Sequence, residues 1–265
     1  MRIFTVDSFT DQPFKGNPAA VCLLDSSRSD EWMQALASEM RHSETAFLLD
    51  QGEGRPRSLR WFTPDVEVAL CGHATLATAH VLYSTGVASG RLEFSTQSGI
   101  LATDQLDHDY ISMNFPASSP VEIPAPEVLA KALGVPFRWV GKGAMDILVE
   151  LESEQVVRGL EPDIDALATL DARAVCVTAR AADPSAGIAY VSRFFAPRVG
   201  VREDPVTGSA HCMLAPYWSG KLGEKELLAA QVSKRGGLVR TTLRDDGRVD
   251  IAGTAVTVWS GTLHV

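Results

Sequence analysis

The chain opens on alternation. In "RIFTVDSF" apolar and polar residues take turns, the period of a half-buried strand. Short apolar runs follow in "PAAVCLL" and "TAFLL", and "RLEFSTQSGILATDQLDHDYISMNF" reads as several strands broken by Gly and Asp turns. "AVCVT" predicts a further strand. The chain closes on strands in "LVRTTLRDDGRVDIAGTAVTVWSGTLHV", with a turn at Asp246-Gly247. Helices are fewer. "SDEWMQALASEM" predicts one that Ser29 or Asp30 caps, with Met33, Leu36, Ala37 and Met40 on one face. "HATLATAHVLYSTG" predicts a second, apolar or small nearly all round and stopped by Gly86; a helix without a polar face is a buried one. "PDIDALATL" predicts a short helix, and "SAHCMLAPYW" opens another that Pro216 is expected to kink or end. "NFPASSPVEIPAPEVLAKALG", with Pro116, Pro120, Pro124 and Pro126, is the expected linker.

The linker divides a repeat. "RWFTPDVEV" (Arg60 to Val68) and "RFFAPRVGV" (Arg193 to Val201) share Arg, Phe, Pro, Val and Val at a constant offset of 133. Each leads into a Gly-small motif that opens a helix: "CGHA" at Cys71 to Ala74 and "TGSA" at Thr207 to Ala210. The second copy carries three extra residues before its Gly, and Asp204 falls in this inserted segment. The expectation is a mixed α/β (α+β) chain of two similar halves, 1–116 and 117–265, with terminal strands free to cross over. Each half then holds a β layer and one buried helix reached through a Gly turn.

Composition narrows the function without naming it. The 265 residues carry 24 Lys and Arg against 33 Asp and Glu, a net charge of −9, with the basic residues scattered. Nucleic acid and anionic membrane are poor partners for such a chain. The N-terminus lacks a signal-peptide apolar run and no stretch is long enough to span a bilayer, so a cytoplasmic protein is expected. Cys22, Cys71, Cys176 and Cys212 are widely spaced, which favours free thiols in a reducing compartment. Neither "CGH" nor "HC" at His211 and Cys212 has metal-site spacing, so no metal is expected. No phosphate loop or dinucleotide fingerprint occurs.

The chemistry gathers at the two helix starts. Gly72 and Gly208 either serve the turn alone or let backbone approach a ligand. The first N–H groups of each helix lack internal partners, so two such ends facing one cleft would hold an anion such as a carboxylate. His73 and Ser209 take equivalent slots just after the glycines; each is a packing or capping residue, or part of a site. Asp204 is a cap or an acid–base group. Glu44, in "HSETAFLL", is either a surface residue or a half-desolvated carboxylate with a raised pKa, usable as a general base or acid. The corresponding "DARAVCVTA" offers no acid at that place. "GNPAA" at Gly16 to Ala20 is a turn before a strand that can also border the site.

"VDSFTDQPFKGNPAAVCLL", "SETAFLL", "RWFTPDVEVALCGHATLATAHVL" and "RFFAPRVGVREDPVTGSAHCMLAPYW", in this order over nearly the whole chain, resemble the PhzF-like family of phenazine biosynthesis, which shares the diaminopimelate epimerase fold. The resemblance implies two pseudo-symmetric halves, each a β-barrel-like sheet around a central helix, with a site in the cleft between them. It implies an isomerase that moves protons on a small carboxylated metabolite without cofactor or metal, and a homodimer. It maps catalytic roles onto Glu44, His73, Asp204 and Ser209, with Glu44 as general acid/base. Substrate binding would fall to Gly72, Ala74, Thr207 and Gly208. Related two-base epimerases need a thiol in each half; Cys71 matches the first, but Thr207 stands at the second, and a hydroxyl is too weak an acid to replace it. The alternatives are an amino- or imino-acid epimerase or racemase, and a protein that binds a small anion without turning it over.

Overall fold

The computed structural model describes residues 1–52 and 54–265, which fall into two compact units. The first comprises Met1–Asn114 with Ala252–Val265, the second Phe115–Ile251. The units divide after Asn114, two residues ahead of the boundary expected after residue 116, and the last fourteen residues join the first unit.

In chain order the first unit holds β1 (Arg2–Ser8), β2 (Asn17–Leu24), α1 (Asp30–Met40), β3 (Glu44–Leu49), β4 (Arg57–Phe62), β5 (Glu67–Val68), α2 (Gly72–Ser84), β6 (Leu92–Thr96) and β7 (Gly99–Gln105). β8 (Ile111–Pro116) leads out of it. The second unit holds β9 (Val121–Glu122), α3 (Glu127–Leu133), β10 (Phe137–Lys142), β11 (Ile147–Leu151), α4 (Glu154–Gly159), α5 (Ile164–Ala168), β12 (Val175–Arg180), β13 (Tyr190–Ala196), β14 (Val201–Asp204), α6 (Gly208–Leu222), β15 (Glu226–Gln231) and β16 (Gly237–Leu243). β17 (Arg248–Gly253) leads back, and β18 (Ala255–Thr262) pairs antiparallel with β1. No helix among the described residues is long and apolar enough to cross a membrane.

The two units repeat one pairing scheme. In the first, β1-β2-β3-β4-β6-β7 are neighbours in that order, with β2–β3 and β4–β6 parallel and the rest antiparallel. In the second, β10-β11-β12-β13-β15-β16 follow, with β11–β12 and β13–β15 parallel. The continuous apolar reading of β2 and β3 is thus explained: both lie inside a sheet and against α2. α2 has no polar face because it packs on β1, β2, β3 and β18. Thr75 and Thr78 lie in it fully buried, and their hydroxyls donate back to the carbonyls of Cys71 (2.6 Å) and Ala74 (2.7 Å), which satisfies them within the helix. Leu76 and Leu82 there each contribute about 1.5–3 kcal/mol by burial. α1 is amphipathic and capped by Ser29, whose hydroxyl accepts from the Trp32 N–H.

Two expectations are corrected. α6 continues through Pro216 to Leu222 instead of ending there. Proline cannot donate to the Cys212 carbonyl four residues back; the Ser118 N–H takes that carbonyl instead, at 2.8 Å. The Pro-rich stretch is not a bare linker either. It supplies Ser118, β9 and α3, which Gly134 closes with a left-handed backbone.

The repeat also carries one side-chain device twice. Arg60 grips Glu67 with two hydrogen bonds (2.6 and 2.7 Å) and lies over the Phe62 ring. Arg193 grips Glu203 in the same way (2.7 and 2.9 Å) and lies over Phe195. From each clamped glutamate the helix glycine is five residues on. β4 pairs Trp61 with Val68 and β13 pairs Phe194 with Asp204. Asp204 therefore stands where Val68 does, outside the insertion. The three extra residues fall between Pro197 and Glu203, before the clamp, and the apparent match of Val68 with Val201 dissolves.

Candidate active site

Each helix start is left open. The residues before them, Cys71 and Thr207, make no side-chain capping hydrogen bond, so the first N–H groups keep their positive potential. Gly72 does not need to be glycine for the chain's own sake. Its backbone is not left-handed, and no atom outside its immediate neighbourhood lies within 4 Å of where a Cβ would stand. Gly16, by contrast, is required by the fold. It has φ +62°, and a Cβ would lie 2.1 Å from the Ser8 carbonyl oxygen.

In the first unit the sequence-predicted pair meets. Glu44 opens β3, and His73 is the second residue of α2; Glu44 Oε2 lies 3.2 Å from His73 Nε2. The imidazole is buried and also touches Ser43 Oγ at Nε2 (3.3 Å) and Cys71 Sγ at Nδ1 (3.5 Å). Ser8 donates to the His73 carbonyl (2.8 Å) and so ties the helix start to β1. Asn17, from the "GNPAA" turn, is fully buried beside Ser43 Oγ (3.5 Å). Ala74 is buried one residue along.

The electrostatics differ from the expectation for Glu44. Burial alone works to raise its pKa, but the His73 charge and hydrogen bonding outweigh burial, and the carboxyl is held below its ordinary value. Burial likewise opposes a charged His73, and its contacts with Cys71 and Glu44 overcome that and hold it well above the usual histidine range. Both shifts favour the charged pair, carboxylate and imidazolium. Burial, and after it the Glu44 charge, pushes the Cys71 thiol up. Oε2 of Glu44 is buried without an aligned hydrogen bond in spite of its nearness to the ring.

Glu44, Cys71 and His73 each bring one possible metal-ligand atom within 4.8 Å of the others. A metal there would have to displace the thiol proton and the imidazolium proton that pairs with Glu44. His211 and Cys212 lie within α6. His211 Nδ1 is engaged with the Thr207 carbonyl (2.9 Å), and burial lowers the ring's pKa to about 4. Burial pushes Cys212 up to about 12.

The second unit builds a different arrangement on the same frame. Thr207 donates to Asp204 Oδ2 (2.5 Å). Gln231, from β15, donates to the Asp204 carbonyl (2.7 Å) and to Thr207 Oγ1 (3.2 Å), and accepts from the Thr207 N–H (2.9 Å). Ser209 accepts from Arg173 Nη2 (3.1 Å), and Arg173 in turn holds buried Asp146 through two bonds (2.8 and 2.5 Å). Gly208 is buried at the first turn. Sequence reasoning missed Ser43, Arg173 and Gln231. Strand register supplies the signal for two of them: β3–β4 pairs Thr45 with Phe62 and β12–β13 pairs Val175 with Phe195, so Ser43 and Arg173 are equivalent, as are Glu44 and Ala174.

The sequence model of the phenazine biosynthesis-like protein family (PhzC-PhzF) matches residues 6–261. The chain belongs to that family. Among curated relatives, an uncharacterized isomerase of Halalkalibacterium halodurans is 49% identical over 97% of this chain and 96% of its own. Among solved structures, a PhzF-family protein from Enterococcus faecalis superposes with TM-score 0.94 at 41% identity, covering 100% of this chain and 99% of that one. A predicted epimerase from Pseudomonas aeruginosa, at TM-score 0.77 and 22% identity over 100% and 99%, shows the shared epimerase-like fold alone. This PhzF-like chain is accordingly an enzyme of the isomerase class.

Proposed function

We propose that this isomerase relocates a proton on a small carboxylated metabolite, with Glu44 as the single acid–base group and neither metal nor cofactor. The observation that carries the reading is the Glu44 carboxylate, half-buried and beside His73, with a buried oxygen that no aligned hydrogen bond occupies. A lowered pKa keeps that oxygen deprotonated and ready to accept a proton. Its partner His73, charged, stabilises the carboxylate before transfer and the negative charge that develops on substrate during it. Glu44 then returns the proton to a second carbon. The backbone amides of Gly72, Gly208 and Ser209, with that of Ala74 beside the Cys71 thiol, are assigned to the substrate's carboxylate or its developing oxyanion. Asp204, held by Thr207, is assigned to the substrate's polar groups. Because the Thr207 hydroxyl is committed to Asp204, it is not free to act as a second base. A homodimer in the cytoplasm completes the proposal, and sedimentation equilibrium tests the dimer.

The test is deuterium incorporation from heavy water into a panel of small carboxylated carbon acids, followed by NMR. Exchange at one member of the panel, lowered about 10²–10⁴-fold by Glu44→Gln, is the expected result. Exchange that survives Glu44→Gln overturns the assignment of the base. Carboxylate binding without exchange across the panel overturns catalysis in favour of anion binding, and inversion of a stereocentre favours an epimerase.

A further inference from the structure

The second unit contains a charged group that the proposed proton transfer does not use. Arg173 stands at the position equivalent to Ser43 and, like Ser43, touches the side chain after the helix glycine. Its guanidinium carries five donors. Nε and Nη2 go to Asp146, and Nη2 also reaches Ser209 Oγ. Nη1 has no acceptor among the described residues. The Ser209 hydroxyl, which accepts from Arg173, likewise has no acceptor for its own proton among them. Two donors thus stand ready beside the open N–H groups of α6. Arg173 also lines a depression of about 350 Å³ whose wall includes Lys142, Arg198 and the Asp171 that pairs with both, so three cations meet one lining carboxylate there. Asp146 is 5% exposed and fixes the guanidinium in plane.

We propose that Arg173 is the specificity-determining residue of the second helix start. It turns the Ser209 hydroxyl outward as a donor and offers its own Nη1 edge, so that this subsite selects a carboxylate over a neutral group of the same shape. The inference rests on the reading that Ser209 meets substrate. It accounts for the missing carboxyl at that one position: Glu44, which opens β3 in the first unit, is replaced by Ala174, and the nearby Asp146 is turned to holding a cation. A lysine in place of Arg173 would keep the charge but lose the fork that reaches Asp146 and Ser209 together.

Benzoate and benzamide, equal in shape and different in charge, are the probes, titrated against the full chain while the Gly208 and Ser209 amide signals are followed by NMR. Wild type is expected to favour benzoate, and Arg173→Met to weaken benzoate about tenfold or more while leaving benzamide unchanged. Asp146→Asn, which frees the guanidinium from its internal anion, is expected to tighten benzoate; a merely structural role for Arg173 predicts no such gain. If Arg173→Met does not fold, the Arg173→Met, Asp146→Leu double variant removes the unpaired buried acid and carries the same test. No preference for benzoate in wild type, or a preference that survives loss of Arg173, overturns the proposal. Glu44→Gln separates this from the catalytic reading: it is expected to lower deuterium exchange about 10²–10⁴-fold and leave the benzoate preference intact. Exchange that fails while the preference depends on Arg173 overturns the proton transfer alone.

Discussion

The two helix starts share a backbone and differ in chemistry: Val68 stands in the first where Asp204 stands in the second, and four further positions separate them. Where the first unit has Ser43 and Glu44, the second has Arg173 and Ala174; where the first has Cys71 and His73, the second has Thr207 and Ser209. The first set makes an ion pair around a histidine, with its charges facing each other. The second makes a cation anchored from behind by Asp146, with its outer donors uncommitted. A duplicated frame can thus carry different side chains without altering its strands: one copy sets a carboxylate beside a histidine, and the other sets a guanidinium against Asp146. The clamps Arg60–Glu67 and Arg193–Glu203 show what both copies retain.

The most severe way to break this comparison is to transpose the acid. Glu44→Ala combined with Ala174→Glu places a carboxyl at the equivalent site without a histidine; deuterium exchange is expected to stay about 10²-fold or more below wild type, and recovery would show the two starts to be interchangeable. Cutting the clamps comes next. The Arg193 side chain is 12% exposed and also donates to the carbonyls of Val157 and Leu160, whereas that of Arg60 is 27% exposed. Arg193→Met is expected to lower stability by about 3 kcal/mol and Arg60→Met by about 1 kcal/mol in urea unfolding.

The pH response sharpens the contrast. The lowered Glu44 contributes stability that is complete above its unfolded value near 4.5 and is lost as pH falls through its lower native value. The raised His73 contributes stability that is complete below its unfolded value near 6.5 and is lost as pH rises through its higher native value. Glu44→Gln is expected to bring the His73 ring titration downward in NMR, because burial then acts with less opposition. The smallest effect belongs to α6. Pro216→Ala restores an N–H to a carbonyl that Ser118 already satisfies, so urea unfolding is expected to move by only about 0.5 kcal/mol.

Much of the frame was legible in the chain because it is written locally. Alternation gave β1, the unbroken apolar runs gave β2 and β3, and the absence of a polar face marked α2 as buried. Glu44 and His73 were each visible as polar residues at buried edges, although their distance was not. What escaped depended on partners far along the chain. Pro216 reads as a helix stop until Ser118 is seen to take the freed carbonyl. Arg173 reads as an ordinary residue of "DARAV" until strand register makes it the equivalent of Ser43 and a hydrogen bond joins it to Ser209. Gln231 supports Asp204 and Thr207 from another strand and has no local signature. The pKa of Glu44 was misjudged for the same reason: desolvation can be inferred from neighbours in sequence, whereas the imidazolium that outweighs it cannot. The insertion was misplaced because a constant offset matched valines and hid the clamped glutamates, which keep their spacing to the glycine.

That fixed spacing has a mechanical consequence. Between the proline of each loop and its clamped glutamate the chain length differs by three residues, yet from the glutamate onward the two copies run in step. The arginine fork works as a cleat: slack in the loop is taken up ahead of it and is not passed on to the helix. Loops of this enzyme can therefore lengthen or shorten on the far side of the cleat, while the first turns of α2 and α6 keep their aim.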